Sequence, residues 1–341
     1  MRFPLLEQFS RLWVNVMTRI RVELLIQPNE KETALHMFSS TINEKICWRF
    51  LESDVVFSCA VEEPKFYTGS KTDCNCTNKL CVSFEGVCEC DVDIDKNSIE
   101  NISIGQENLY FTRLRILNKI YHLEDYYEEE VKPNIVCTVL STFLSNPKMD
   151  LMGGCVYVYL NDIFYKKELL INSNIQSNLI ESGITFPDMQ LTFRECWKWA
   201  VKNTSLFQKN NSSPVVFSTL SYILNRELHE TLIYSTIGLE SLFCPPKSKS
   251  TRYLLTKRIP AVFPVIEEDQ IKEMYAARSD IVHGNIKIGT YYIIREIIKT
   301  DDAIANACVL GVALLVESIR KLIESDATHY VFEEFIECKC E

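Results

Sequence analysis

The rhythm of apolar and polar positions changes about halfway along this chain. Up to residue 180 the apolar runs are short and differ in period; from Asp188 onward the spacing is helical and stays so. Residues 5–26, LLEQFSRLWVNVMTRIRVELLI, begin with helical periodicity and end in strand-like alternation. Ile42–Val61 holds two candidate strands, CWRFL and VVFSCAV, split by Glu52-Ser53-Asp54. Ser98–Ile104 predicts a strand, and Leu109–Glu130, with Leu114, Leu117, Ile120 and Tyr121 on one side, an amphipathic helix. Ile135–Leu144 and Gly154–Leu160 are apolar but too short for their period to assign them. Asn172–Asn178 is polar and suits a connection.

In the second half, Asp188 is placed to cap the segment DMQLTFRECWKWAVKNTSLF, where Leu191, Cys196, Trp199 and Ala200 recur near helical spacing. Pro214 suits the first turn of a helix that continues through Tyr222 and Ile223. Leu228–Phe243 follows, stopped by Pro245-Pro246. Ala303–Val316 is the most apolar stretch, with Asp301 and Asp302 suited to start it. It is about a turn short of a membrane span and reads as the buried central helix of a bundle. The pattern therefore predicts an α+β N-terminal domain over 1–180 and an all-α helical bundle over 187–341. A length of 341 residues agrees with two domains.

Composition narrows the classes. An apolar fraction of 47% argues against general disorder. A net charge of −10 is unfavourable for a binder of duplex nucleic acid, but leaves room for an RNA site that needs only local cations. Between Glu240 and Glu267 the charged residues are all basic: Lys247, Lys249, Arg252, Lys257 and Arg258. This run either guides RNA phosphates or forms a solvated helix face. Charges at Arg2, Glu7, Arg11, Arg19, Arg21 and Glu23 interrupt any export signal, which predicts a cytoplasmic protein with no membrane partner. Its cysteines are then expected reduced or bound to metal. Cys74, Cys76, Cys81, Cys88 and Cys90 crowd into seventeen residues, with Gly86-Val87 placed to fold the segment back as a hairpin. Such a cluster suggests a structural zinc held by four of the five, with loose thiols as the alternative. Cys338 and Cys340 form a second C-x-C to which no role is assigned.

The strongest functional signal lies in Tyr275-Ala-Ala-Arg-Ser-Asp-Ile-Val-His-Gly284. On a helix, Ile271, Met274, Tyr275, Ile281 and Val282 form one apolar stripe with Arg278 in its middle. A guanidinium there is costly unless it meets an anion. His283 lies about 140° further round and about 7.5 Å along the axis, and Gly284 is placed to end the helix. A fixed cation beside an imidazole suits phosphodiester chemistry. The bland alternative is a core arginine beside an ordinary capping histidine. Glu240, an acid on an otherwise apolar helix face, either orients Arg278 or is an exposed carboxylate.

Three segments in order carry a resemblance: LHETLIYSTIGLESLF, then the basic KSTRYLLTKRIPAVF, then the helix closing in YAARSDIVHG. Over roughly residues 190–325 the chain resembles the HEPN superfamily, in its Apea-like subgroup. That resemblance implies a dimerising helical bundle and a metal-independent endoribonuclease with Arg278 and His283 as its catalytic pair. On it, Ser279, Tyr275, Lys257 and Arg258 become candidate substrate contacts, RNA the partner, and no cofactor is needed for catalysis. Many HEPN enzymes carry Asn, Asp or His directly after the arginine, and Ser279 departs from that while still offering a hydrogen-bonding group. The resemblance also implies anti-phage defence, with the N-terminal domain responding to a phage-derived trigger. Some members lack activity, so the alternative is a non-catalytic nucleotide- or protein-binding dimerisation module with a zinc-binding N-terminal domain.

Overall fold

A computed structural model describes residues 11–27, 31–42, 46–50, 53–62, 80–95, 132–160, 163–169, 189–204, 228–245, 250–285 and 302–332, with a few single residues between 171 and 224. The expectations for 98–104, 109–130, 172–178, Asp188, Pro214, Cys338 and Cys340 lie outside the described residues. The elements in chain order are β1 (Arg11–Gln27), α1 (Lys31–Ile42), β2 (Ile46–Phe50), β3 (Ser53–Glu62), β4 (Leu80–Asp95), α2 (Lys132–Ser145), β5 (Asp150–Leu160), β6 (Ile163–Leu169), and then, among the described residues, helices only. These are α3 (Phe193–Thr204), α4 (Leu228–Phe243), α5 (Thr251–Val262), α6 (Glu268–Val282) and α7 (Asp302–Glu324). An α+β half is thus followed by a helical half.

The six strands form one sheet in the order β2-β3-β4-β1-β5-β6, and every adjacent pair is antiparallel. β1 is a strand from Arg11 on, not a helix that turns into one. Even positions Leu12, Val14, Val16, Ile20, Val22, Leu24 and Ile26 supply a two-residue alternation. The apolar Trp13 and Met17 on odd positions disguise it as helical spacing. Ile20, Val22, Leu24 and Ile26 are at most 1% exposed, and register aligns Val22 with Phe84 of β4 and Val158 of β5. On the other face, Arg21 pairs with buried Glu23 at 3.3 Å and lies over the Tyr159 ring. β2 and β3 are the two expected strands and pair antiparallel, but Ser53 and Asp54, expected to split them, already belong to β3.

Ile135–Leu144 proves to be helical, inside α2, and Gly154–Leu160 lies in β5. α2 is buried even at Thr138, Ser141 and Thr142, whose hydroxyls donate to carbonyls one turn earlier at 2.6–2.9 Å. Hydroxyls satisfied in this way cost little in a core.

α3 starts at a capping box. Thr192 Oγ1 accepts from the Glu195 amide, and Glu195 Oε2 accepts from the Thr192 amide at 2.8 Å. Thr192 therefore does the capping that the sequence suggested for Asp188. Thr192→Ala is expected to cost about 1 kcal/mol, read as a lowered denaturant midpoint with unchanged slope.

The core is continuous across the expected domain boundary. Phe193 of α3 lies 5.2 Å from Phe38 of α1 and 5.3 Å from Phe84 of β4, ring centre to ring centre. All three rings are fully buried. Across the helical half, α7 is the central element, and every residue from Leu310 to Arg320 is buried. It continues eight residues past Val316, so Ala303–Glu324 has the length and apolarity of a membrane span, with 72% of its most apolar window buried in the fold. Gly311 lets α7 approach α4 closely, since a Cβ there would come within 2.6 Å of Ser235 Oγ. Gly311→Val should lower stability by about 1–3 kcal/mol, and adding Ser235→Gly should recover part of that loss in a double-mutant melting series.

Candidate functional site

α6 is bounded at both ends by its own sequence. Glu267 and Gln270 form a reciprocal capping box at its start. At its end Gly284 adopts φ +71°, its amide donates to Ile281 O, and the Asn285 amide donates to Asp280 O at 2.9 Å. This pair of bonds is the Schellman arrangement, with His283 as the C-cap. Asn285 Nδ2 also donates to Asp280 Oδ1 at 3.1 Å, so a side-chain clasp reinforces the backbone one. Asp280 and Asn285 went unnoticed in the sequence reading; an asparagine directly after the helix-ending glycine is the signal that could have drawn attention to them.

The stripe on α6 is narrower than the pattern suggested. Ile271, Met274 and Ile281 are buried and Tyr275 is half-buried, but Val282 is 46% exposed. Val282 is the last residue of α6, next to its C-cap. Arg278 is half-buried, and its Nε is enclosed without a hydrogen-bond partner. Its guanidinium carbon lies 5.7 Å from the centre of the Tyr275 ring. Tyr275 in turn donates its hydroxyl to Glu240 Oε1 of α4 at 3.3 Å. Burial first, and then the Glu240 charge, push the Tyr275 phenol above its ordinary range, against a smaller opposing pull from Arg278. The tyrosine therefore stays a neutral donor. Glu240 reaches Arg278 through Tyr275; among the described residues no ion pair joins the acid to the arginine. Ser279 is half-buried, and its carbonyl accepts from the His283 amide at 2.9 Å. His283 itself is exposed.

The basic run behaves differently. Arg258 donates to Phe243 O, the end of α4, and stacks over Phe332 at 4.6 Å. Its charge serves the bundle as a helix C-cap. Lys257 pairs with Glu268 of α6 at 2.6 Å while remaining exposed. Arg252 is exposed, and Lys247 and Lys249 lie outside the described residues. The structure links Glu240, Tyr275 and Arg278 by contact, leaves Ser279 and an exposed His283 on the same helix end, and gives Arg258 another task.

The cysteine segment does not fold back at Gly86-Val87. β4 runs unbroken through it, with Gly86 opposite Ile20 and Val87 opposite Arg19. Seven residues of extended strand separate Cys81 from Cys88 by about 23 Å, so these two thiols cannot share one ion. Cys81 is buried in the strand, and Cys88 and Cys90 lie further along it. Cys74 and Cys76 lie outside the described residues. Among the described residues no group of three or more His, Cys, Asp or Glu side chains is placed to hold a metal.

Comparison with protein-family models, with curated proteins and with solved structures finds no match to this chain.

Proposed function

We propose that the helical half is a HEPN-type endoribonuclease that cleaves RNA by attack of a ribose 2′-hydroxyl on the adjacent phosphate. One observation carries this reading. Arg278 keeps a half-buried guanidinium with an enclosed, unsatisfied Nε and no acidic partner among the described residues, on the helix whose end presents an exposed His283. A cation left without a carboxylate is expected to be matched by something the protein binds. A phosphate suits the planar fork of a guanidinium.

In this mechanism His283 accepts the 2′-hydroxyl proton as the oxygen attacks phosphorus. Arg278 stabilises the charge gathering on the non-bridging oxygens as the 5′-oxygen leaves. The bond formed is 2′-O–P and the bond broken is P–O5′; the leaving 5′-oxygen takes a proton from solvent, His283 returns its own to solvent, and the products are a 2′,3′-cyclic phosphate and a 5′-hydroxyl. Tyr275 and Glu240 hold Arg278 in place. A second copy of the chain, joined through the helical half, would bring two such pairs together. A role in anti-phage defence, with the sheet half responding to a trigger, belongs to the same reading and rests on the family resemblance alone.

The test is direct. Purified protein in EDTA is incubated with end-labelled single-stranded RNA and with the same oligonucleotide made 2′-deoxy throughout. Cleavage of the first only, leaving cyclic-phosphate ends, supports the proposal. RNA that is retained in a shift assay but left intact would point to the non-catalytic module instead.

A further inference from the structure

A second site lies away from Arg278. A cleft of about 580 Å³ opens where α1, the turn after α2, the segment leading into α3, and α7 meet. Its volume is that of an ordinary small-molecule site. Two charged residues line it from within an otherwise apolar stretch of α7: Glu317 and Arg320, each 8% exposed. They pair at 2.8 Å, and Arg320 also donates to Met189 O at 2.6 Å. A buried ion pair in a core helix contributes little stability over an apolar pair of the same volume. Its presence on a cavity wall therefore suggests recognition. Arg320 commits two of its five N–H groups in these bonds, and its Nε is enclosed without a partner.

The remaining lining separates by chemistry. Phe186, Ile184 and Leu191 give apolar wall. Lys148, His36 and Glu32 are exposed at the rim. Among the described residues neither Lys148 nor His36 is in an ion pair. A guanidinium beside a carboxylate matches a planar group carrying adjacent acceptors and donors, as the guanine edge does. A rim carboxylate suits ribose hydroxyls, and a rim ammonium suits a phosphate. We propose that this cleft binds a purine nucleoside monophosphate, with the base against Arg320 and Glu317, the ribose near Glu32 and the phosphate at Lys148 and His36. The site shares no residue with the Arg278–His283 pair and does not depend on it.

Titration calorimetry of the full chain with guanosine 5′-monophosphate, guanosine and inorganic phosphate tests this. The monophosphate should bind more tightly than either fragment. Lys148→Glu, an exposed change that leaves the core intact, should weaken the monophosphate about tenfold and leave guanosine unchanged. Arg320→Lys should weaken both, and its melting temperature reports whether it folds. Three results would overturn the proposal: no heat with the monophosphate at millimolar concentration, phosphate binding as well as the nucleotide, or Lys148→Glu binding the nucleotide like the parent. The variant His283→Ala should bind it normally, so failure of the ribonuclease reading leaves this result interpretable.

Discussion

Protein carrying His283→Ala should fold normally and cut RNA at least about 100-fold more slowly than the parent, the scale of losing a positioned general base. The fold is expected to survive because His283 is an exposed C-cap whose backbone, not its ring, makes the helix-ending bonds. Arg278→Ala should lose about 100- to 1000-fold. Arg278→Lys should recover only part of that, because an ammonium keeps the charge but not the planar fork. Neither change removes a salt bridge among the described residues, so melting temperatures close to the parent's are expected alongside the lost activity. Lys257→Ala provides the contrast. Its partner is Glu268, both are exposed, and a much smaller loss should follow. Initial rates on single-stranded RNA in EDTA decide the matter, and parent-like cutting by His283→Ala and Arg278→Ala would end the ribonuclease assignment.

Phe193→Ala is expected to have the largest effect on stability, about 3–5 kcal/mol. The ring is fully buried and contacts Phe38, Phe84 and Trp197, so its removal leaves a void bordered by the sheet, α1 and α3. Little nearby can collapse into it, because the surrounding rings are held by separate elements. Phe164→Ala serves as the comparison. At 42% exposure on edge strand β6, it should cost far less. Chemical denaturation of the two variants should separate their midpoints clearly; similar midpoints would mean that the aromatic cluster is not where sheet and helices are joined.

Legibility in the sequence followed how local each cause is. Leu228–Phe243 was readable to its bounds, because a proline pair stops it and its apolar pattern is unbroken. The end of α6 was readable from Gly284, since a positive φ at a helix terminus is a single-residue requirement. The unusual position of Arg278 was readable from periodicity alone. Arg258 was not, because its partners, Phe243 O and Phe332, come from other parts of the chain. β1 was half-missed because the apolar Trp13 and Met17 at odd positions blur the two-residue alternation of the sequence. Gly86-Val87 misled because pairing of Gly86 with Ile20 and of Val87 with Arg19 carries β4 straight through the expected fold-back. The cleft had no local signature, since its lining runs from Glu32 to Arg320.

The ring contacts between Phe193 and the sheet also bear on how this protein can be dissected. Cutting the chain ahead of α3 would strip Phe38 and Phe84 from that aromatic surface and leave a fragment with an uncovered oily flank. Such a piece would self-associate through an artefact of truncation and mimic the very dimer a nuclease of this kind is expected to form. Only the intact polypeptide can report honestly on its own assembly.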